Sequence, residues 1–361
     1  MMMKPKKLIA AGFAAILIAG AALTGSRPAA ASGQDAPGQK RMQMFGVAFY
    51  NLENRFDTIN NNGKYDLEFS PAGKNNWNGH KYWSKIKNLT YAISQMPTKT
   101  TPMGPAIIGC SEIENRSVLE DLVKAEAIKD WNLQIIHHDS PDRRGVDVSL
   151  LYNPRFFKPI RTTNHRLVVP ELPTFLTRDQ MCVTGLLGGS RVAVIVNHWP
   201  SRRGGEQQSS WLREAAAALT RQIADSLLKV DPTMGIIVMG DLNDDPFNKS
   251  CSETLGAVRN PQDCQPGGFY NPFWKKLDDG IGSYIYRGSW NLFDQIIINY
   301  NLLEGKNGLK FRSAEVLNKE FLKQQDGQYR GYPHRTFSGG AWQNGYSDHF
   351  PTEIFLVKEV K

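Results

Sequence analysis

Only four cysteines occur among 361 residues, too few for a disulfide-stapled scaffold and without the close pairing of a zinc ribbon. No low-complexity linker divides the chain and no period runs through it, which excludes solenoid and propeller architectures. The apolar run Leu8–Leu23 has 16 residues, short of the roughly 20 that a membrane-spanning helix needs. Neither sign of charge dominates: 43 Lys and Arg face 35 Asp and Glu, so charge alone does not argue for a polyanionic partner. With 41% hydrophobic and 22% charged residues, the chain is neither disordered nor collagenous.

The N-terminus is patterned for export. Lys4, Lys6 and Lys7 precede the apolar run, and Ala29-Ala30-Ala31 follows it, giving the basic, hydrophobic and small-residue regions of a secretory signal over residues 1–31. Ser26 follows Leu23-Thr24-Gly25 where a lipidated cysteine would stand, which argues against a lipid anchor. The expected location is secreted or periplasmic, as a monomer with no membrane span after cleavage. Cleavage removes four basic residues and no acid, lowering the formal charge from +8 to +4. Residues 32–42 read as a flexible lead-in and 43–361 as one domain.

Within that domain short apolar runs alternate with helical patterns. Runs at 45–50, 106–110, 133–136, 146–152, 192–196, 235–239, 295–298 and 352–357 have the length and the Val/Ile/Phe/Tyr content of strands. Helical patterns fall at 83–95, 117–129 and 210–228, the last containing the helix-favouring Ala215–Ala218. Two aperiodic stretches, 60–78 and 261–279, read as surface loops. The economical reading is a single α/β domain with a two-sheet core.

Acids and histidines cluster just beyond the apolar runs: Glu53, Glu112, His198, Asp241 and Asn243, with Asp348-His349 just ahead of the last run. In α/β folds, such strand ends are where ligands gather. Glu53, Glu112 and Asp348 suit a hard divalent cation such as Mg²⁺, which takes one or two carboxylates and leaves room for phosphate oxygens. Asp241 and Asn243, two residues apart at a strand end, face one side and can orient water. His198 and His349 can stabilise a phosphorane or move a proton, and Asp294 can orient one of the rings.

These motifs, in order from Asn51-Leu52-Glu53 through Glu112, Asn197-His198, Gly240-Asp241-Leu242-Asn243 and Asp294 to Ser347-Asp348-His349-Phe350-Pro351, resemble those of the endonuclease/exonuclease/phosphatase superfamily, the deoxyribonuclease-I-like fold. The resemblance covers nearly the whole chain after the leader. It implies an α/β (α+β) four-layer sandwich, two packed mostly antiparallel or mixed sheets flanked by helices. It also implies that Glu112 is the principal Mg²⁺ ligand (Mn²⁺ substituting), with Asn51, Glu53 and Asp348 completing the shell. Asp241 and Asn243 would orient water and phosphate, His198 would bind the phosphate, and His349, oriented by Asp294, would be base or transition-state stabiliser. Cys110-Ser111-Glu112 departs from the usual Leu-Gln-Glu, and Phe293-Asp294-Gln295 from the Cys-Asp-Arg of inositol polyphosphate 5-phosphatases. The leading expectation is a nuclease acting on DNA or RNA. A phosphomonoesterase or a phospholipase C-type hydrolase of inositol phosphate or a phospholipid headgroup such as sphingomyelin is the second reading, and a silent binding protein on the same fold the third.

Four features carry smaller expectations. Arg202 and Arg203 could clamp phosphate, more so than Arg143 and Arg144. Cys251 and Cys264 enclose a short segment of an exported chain, as a disulfide would. His137, His138 and Asp139 are poor co-ligands, because adjacent strand residues point to opposite faces. The tryptophans read as packing residues first.

Overall fold

The computed structural model describes residues 41–59 and 67–360. The leader, most of the lead-in and residues 60–66 of the first aperiodic stretch lie outside the described residues. Strand β1 (Arg41–Arg55) is followed by helix α1 (Gly79–Ser94), β2 (Ile107–Ile113), α2 (Arg116–Val123), β3 (Gln134–His137), β4 (Asp147–Tyr152), β5 (Phe157–His165), β6 (Gln180–Leu187) and β7 (Ser190–His198). The second half comprises α3 (Glu206–Val230), β8 (Gly235–Asp241), β9 (Ala257–Val258), β10 (Phe269–Tyr270), α4 (Phe273–Asp278), β11 (Tyr284–Tyr286), β12 (Ser289–Asn291), β13 (Asp294–Asn299), α5 (Tyr300–Glu304), β14 (Leu309–Val316), β15 (Phe337–Ser338), β16 (Ala341–Trp342) and β17 (Thr352–Val360).

The strands form two large mixed sheets. One runs β14-β17-β1-β2-β4-β3 and the other β5-β6-β7-β8-β13-β10-β9, with β11-β12 and β15-β16 as separate hairpins. Each sheet is centred on a parallel pair, β1 with β2 and β7 with β8, flanked by antiparallel neighbours. Side-chain alternation along these central strands explains the layers. Val47 and Phe49 turn inward to meet Val194, Val196, Ile237 and Met239 of the facing sheet. Ala48 and Tyr50 turn outward, under Ile86, Leu89 and Ile93 of α1 and Val118 and Leu122 of α2. On the other side Ala193, Ile195, Ile236 and Val238 pack beneath Ala216, Ala217, Ile223 and Ala224 of α3. The result is the four-layer α+β sandwich.

Three features differ from the sequence reading. The lead-in ends before residue 41, because Arg41 and Met42 already pair with Val360 and Glu359. The stretch 261–279 contains β10 and α4 rather than only loop. Strands β5, β6, β9 and β14 and the hairpins β11-β12 and β15-β16 add to the eight runs read from sequence. Strand β5 is an edge, exposed along most of its length, with Pro159 beside a register shift where no ladder donor is required.

Candidate active site

The parallel strands β1 and β2 end side by side, with Asn51 paired to Ser111, and both then leave regular register. Glu112 is the residue skipped in the pairing of β2 with β4, and its φ is 63°. Bulges of this kind re-aim a side chain. Glu53 and Asn54, at φ 49° and 48°, make the matching turn on β1. Left-handed backbone at residues other than glycine costs on the order of 1–3 kcal/mol each and persists where surrounding bonds enforce it. Here the Asn54 amide donates to Glu112 Oε2 at 2.7 Å, so the two turns hold each other.

The facing sheet contributes a row. His198, at the end of β7, is in register with Asp241, at the end of β8, which is in register with Asp294, at the start of β13. The backbone needs glycine just before Asp241, since a Cβ on Gly240 would lie 2.2 Å from the Asn197 carbonyl oxygen. Asn243, at φ 51°, donates its amide to Asp241 Oδ1 at 3.0 Å. Asn51 Nδ2 crosses from the first sheet to donate to Asp241 Oδ2, also at 3.0 Å. Both oxygens of Asp241 are therefore fixed, one from each sheet.

The segment before β17 delivers the second histidine. Ser347 Oγ donates to the Asn51 carbonyl at 2.7 Å, and the His349 amide donates to Ser347 Oγ. His349 Nδ1 lies 2.7 Å from Asp294 Oδ2, which also accepts from Ser283 Oγ at 2.6 Å. Its Nε2 lies 3.8 Å from both Asp241 Oδ2 and Asp348 Oδ1, and the Tyr284 ring stacks on the imidazole at 4.5 Å. Burial works against the charged ring, but Asp294, Asp348 and Asp241 outweigh it and raise His349 to about 10. Burial, reinforced by Asp294, raises Asp241 to about 6 against the pull of His349. His198 goes the other way: burial and then Arg178 hold it well below the ordinary imidazole range. It sits 3.6 Å from Asp241 Oδ2, with Nδ1 buried and unpartnered. At neutral pH the site thus holds one neutral and one protonated imidazole around a single carboxylate.

Two further carboxylates each carry an arginine. Arg144 Nη2 donates to Glu112 Oε1 at 3.0 Å and to Asn54 Oδ1 at 2.8 Å. Burial alone would raise Glu112, but Arg144 and the Asn54 amide hold it well below the usual carboxylate range. Arg335 Nη2 donates to Asp348 Oδ2 at 2.5 Å. The side chains of Arg144 and Arg335 are 44% and 45% exposed, so both have room to move.

Three sequence-based assignments are corrected. Glu53 is a poor metal ligand, because Oε2 already receives Lys85 Nζ at 3.1 Å and both the amide and hydroxyl of Thr336; it anchors α1 to the 336–346 segment instead. Arg202 is not positioned to bind phosphate. It is buried beneath the Phe293 ring and donates to Asn243 O, Glu206, Asp244, Asp245 and Asn248, so it braces the Asp241–Asn243 turn. Arg203 is exposed, in a depression it shares with Arg143 and Arg144. Cys251 and Cys264 are buried free thiols, packed into separate hydrophobic clusters, and form no disulfide. His137 and His138 do diverge, with His138 Nε2 3.8 Å from Asp179. Asp139, however, stays with His137: their Oδ1 and Nδ1 lie 3.7 Å apart and His137 Nε2 is 3.4 Å from buried Asp147, so this trio, unlike the expectation, brings potential metal ligands together. The sequence reading missed Asn54, Tyr284 and Arg335 and ranked Arg144 too low. No periodicity or motif marks them.

A two-sheet sandwich whose central strand ends converge on carboxylates and histidines defines a class of hydrolytic folds. The profile of the Endonuclease/Exonuclease/phosphatase family matches residues 46–358, and the chain belongs to that family. No curated protein matches the sequence. Among solved structures, a family protein of Bacteroides thetaiotaomicron is similar at a TM-score of 0.55 and 16% identity, covering 89% of this chain and 98% of that one. D. rerio TDP2 complexed with a single-strand DNA product gives 0.52 and 11%, covering 87% and 98%. A mannosyl-6-phosphatase of Bacteroides thetaiotaomicron gives 0.53 and 16%, covering 86% and 99%. At these identities the likeness is one of fold. Among the described residues no helix is long and apolar enough to cross a membrane.

Proposed function

We propose that the protein is an exported, divalent-metal-dependent phosphodiesterase, a nuclease that hydrolyses DNA or RNA with an activated water. The observation that carries this reading is the row His198–Asp241–Asp294 from one sheet, met by Glu112, Asn51 and the Asp348-His349 pair from the other. Family membership supports phosphoric-ester hydrolysis, and the TDP2 complex with DNA supports the nuclease branch. Export rests on the leader pattern of residues 1–31. A silent binding protein is disfavoured, because the carboxylates and both imidazoles are present and converge.

Glu112 and Asp348 fit a hard cation: both are carboxylates whose present counter-charges are partly exposed arginines, and Asn51 adds a neutral amide nearby. The cation, when bound, supplies charge neutralisation at a phosphate oxygen. The chain's own groups do the rest. Asp241, fixed through both oxygens, accepts a proton from water. His349, protonated and held by Asp294, donates to negative charge as it builds on the phosphoryl oxygens. His198, neutral, completes the hydrogen-bonding around the same group. Arg144 and Arg335, released from their carboxylates, turn onto the phosphate.

The test is hydrolysis of plasmid DNA, RNA, an inositol phosphate, a sugar phosphate and sphingomyelin, each with Mg²⁺ and with excess chelator. Cleavage of nucleic acid that chelation abolishes and Mg²⁺ or Mn²⁺ restores is expected, with Glu112→Gln losing activity by about 10²-fold or more. Turnover of sphingomyelin alone would overturn the nuclease reading, and full activity in chelator would overturn the metal.

A further inference from the structure

Arg335 and Asp348 face two ways. On one side they meet the site; on the other they line a cavity of ≈ 320 Å³ that Tyr284, Tyr329, Tyr332 and Gln324 also line. Two segments outside both large sheets build it. One is the β11-β12 hairpin; the other is the 324–343 stretch, closed on itself where the Gln324 amide donates to Tyr332 O at 2.7 Å and the Gly331 amide to Gln324 O at 2.8 Å. Its aromatic wall is continuous with the site: Tyr284 stacks on His349, Tyr332 stands 5.7 Å from Tyr329 and 6.2 Å from Trp290, and Trp290 stacks on Phe350, next to His349.

We infer that this cavity receives the nucleoside carried by the scissile phosphate, one base with its sugar, and so confines cleavage to a residue that can leave the stack. This rests on the phosphoesterase reading above. The volume is at the small end of ligand pockets, enough for one nucleoside and too small for a duplex. Tyrosine rings offer the flat apolar faces on which bases stack. The carboxamides of Gln324 and Gln343, both in the lining, present paired donor and acceptor groups of the kind that read a base edge. Arg335, at the boundary, would hold the phosphate while the base lies beyond it.

The experiment measures binding first, so that it does not depend on turnover. The nucleotide 2-aminopurine riboside 5′-phosphate is titrated into the full chain in Ca²⁺ and followed by quenching of its fluorescence on stacking, with ribose 5-phosphate and mannose 6-phosphate as competitors. The expected result is quenching and an affinity about 10-fold or more above that of either competitor, within the range of one base stack. Tyr332→Ala should erase this advantage, and Ser338→Trp should do the same by filling the space. Turnover is then compared on a dinucleotide and on the methyl ester of a baseless sugar phosphate. Tyr332→Ala should lower kcat/KM for the first by about 10-fold, again the worth of one stack, and leave the second unchanged. Equal affinity for nucleotide and ribose 5-phosphate, tighter binding of mannose 6-phosphate, or equal losses on both substrates would overturn the inference. Tight nucleotide binding without hydrolysis of any phosphoester would instead uphold the cavity and overturn the hydrolase reading.

Discussion

At the residue scale the site is organised by charges that hold one another in definite protonation states. Against the effect of burial, three carboxylates keep His349 at about 10, with Asp294 in direct contact. Removing the Asp294 charge should bring the ring back toward the ordinary imidazole range. In Asp294→Asn the alkaline limb of the pH–rate profile is expected to move to lower pH, with kcat falling about 10²-fold and KM little changed. An unmoved limb would assign the proton to another group. The arginines make a separable prediction. Arg144→Ala and Arg335→Ala should each tighten Mn²⁺ binding, measured by calorimetry, because a competing cation is gone, while weakening substrate binding and turnover. Loss of metal affinity in both variants would mean that the arginines orient their carboxylates rather than compete for them. Much of this was legible beforehand: the types and order of Glu112, His198, Asp241, Asp294 and His349 mark the chemistry. Sequence could not show Glu53 turned away to Lys85 or Arg202 enclosed by Asp244 and Asp245, because side-chain partners come from elements distant in sequence.

Among the elements, several strands legible in the sequence are buried on both faces, such as β2 and β8, whose continuous apolar runs need no alternation, although the partly exposed edge strand β3 was also legible and the largely buried β6 was not. Strands β5 and β14 sit at sheet edges, carry charges on the open face and read as polar segments. The bulge at Glu112 was beyond reach for a related reason: alternation puts Glu112 and Glu114 on one face, and only the register shift separates them. Glu114 instead accepts the Asp57 amide at 2.6 Å. Strand β17 holds an anomaly. Glu353 is buried between Ala48 and Glu315, with Oε1 unpartnered over Gly46. Burial, with the charge of Glu315, raises its carboxyl to about 8. Because the folded value lies above the unfolded one, the stabilising protonated form is fully present below about pH 4.5 and is lost as pH rises through about 8. Urea denaturation should show Glu353→Gln gaining stability over wild type at about pH 9, by a few kcal/mol, and little or none at about pH 4. An equal effect at both pH values would remove ionisation as the cause.

Across the whole molecule the site belongs to neither sheet alone. Asn51 and Glu112 come from the first, His198, Asp241 and Asp294 from the second, and Asp348-His349 from the chain just before it rejoins the first between β14 and β1. A chain stopped at residue 346 should therefore show no metal-dependent turnover, and a synthetic peptide of residues 347–361 should restore part of it by adding as a strand in the vacant slot. Turnover by the shortened chain alone would refute this. The same placement sets a clock on the protein's own manufacture. A ribosome delivers β17 after every other strand of both sheets, so until then the growing polypeptide holds most of the acids and one imidazole of a phosphoesterase without the group that would arm them. If the substrate is nucleic acid, as proposed above, that ordering would be a safety catch that requires no inhibitor.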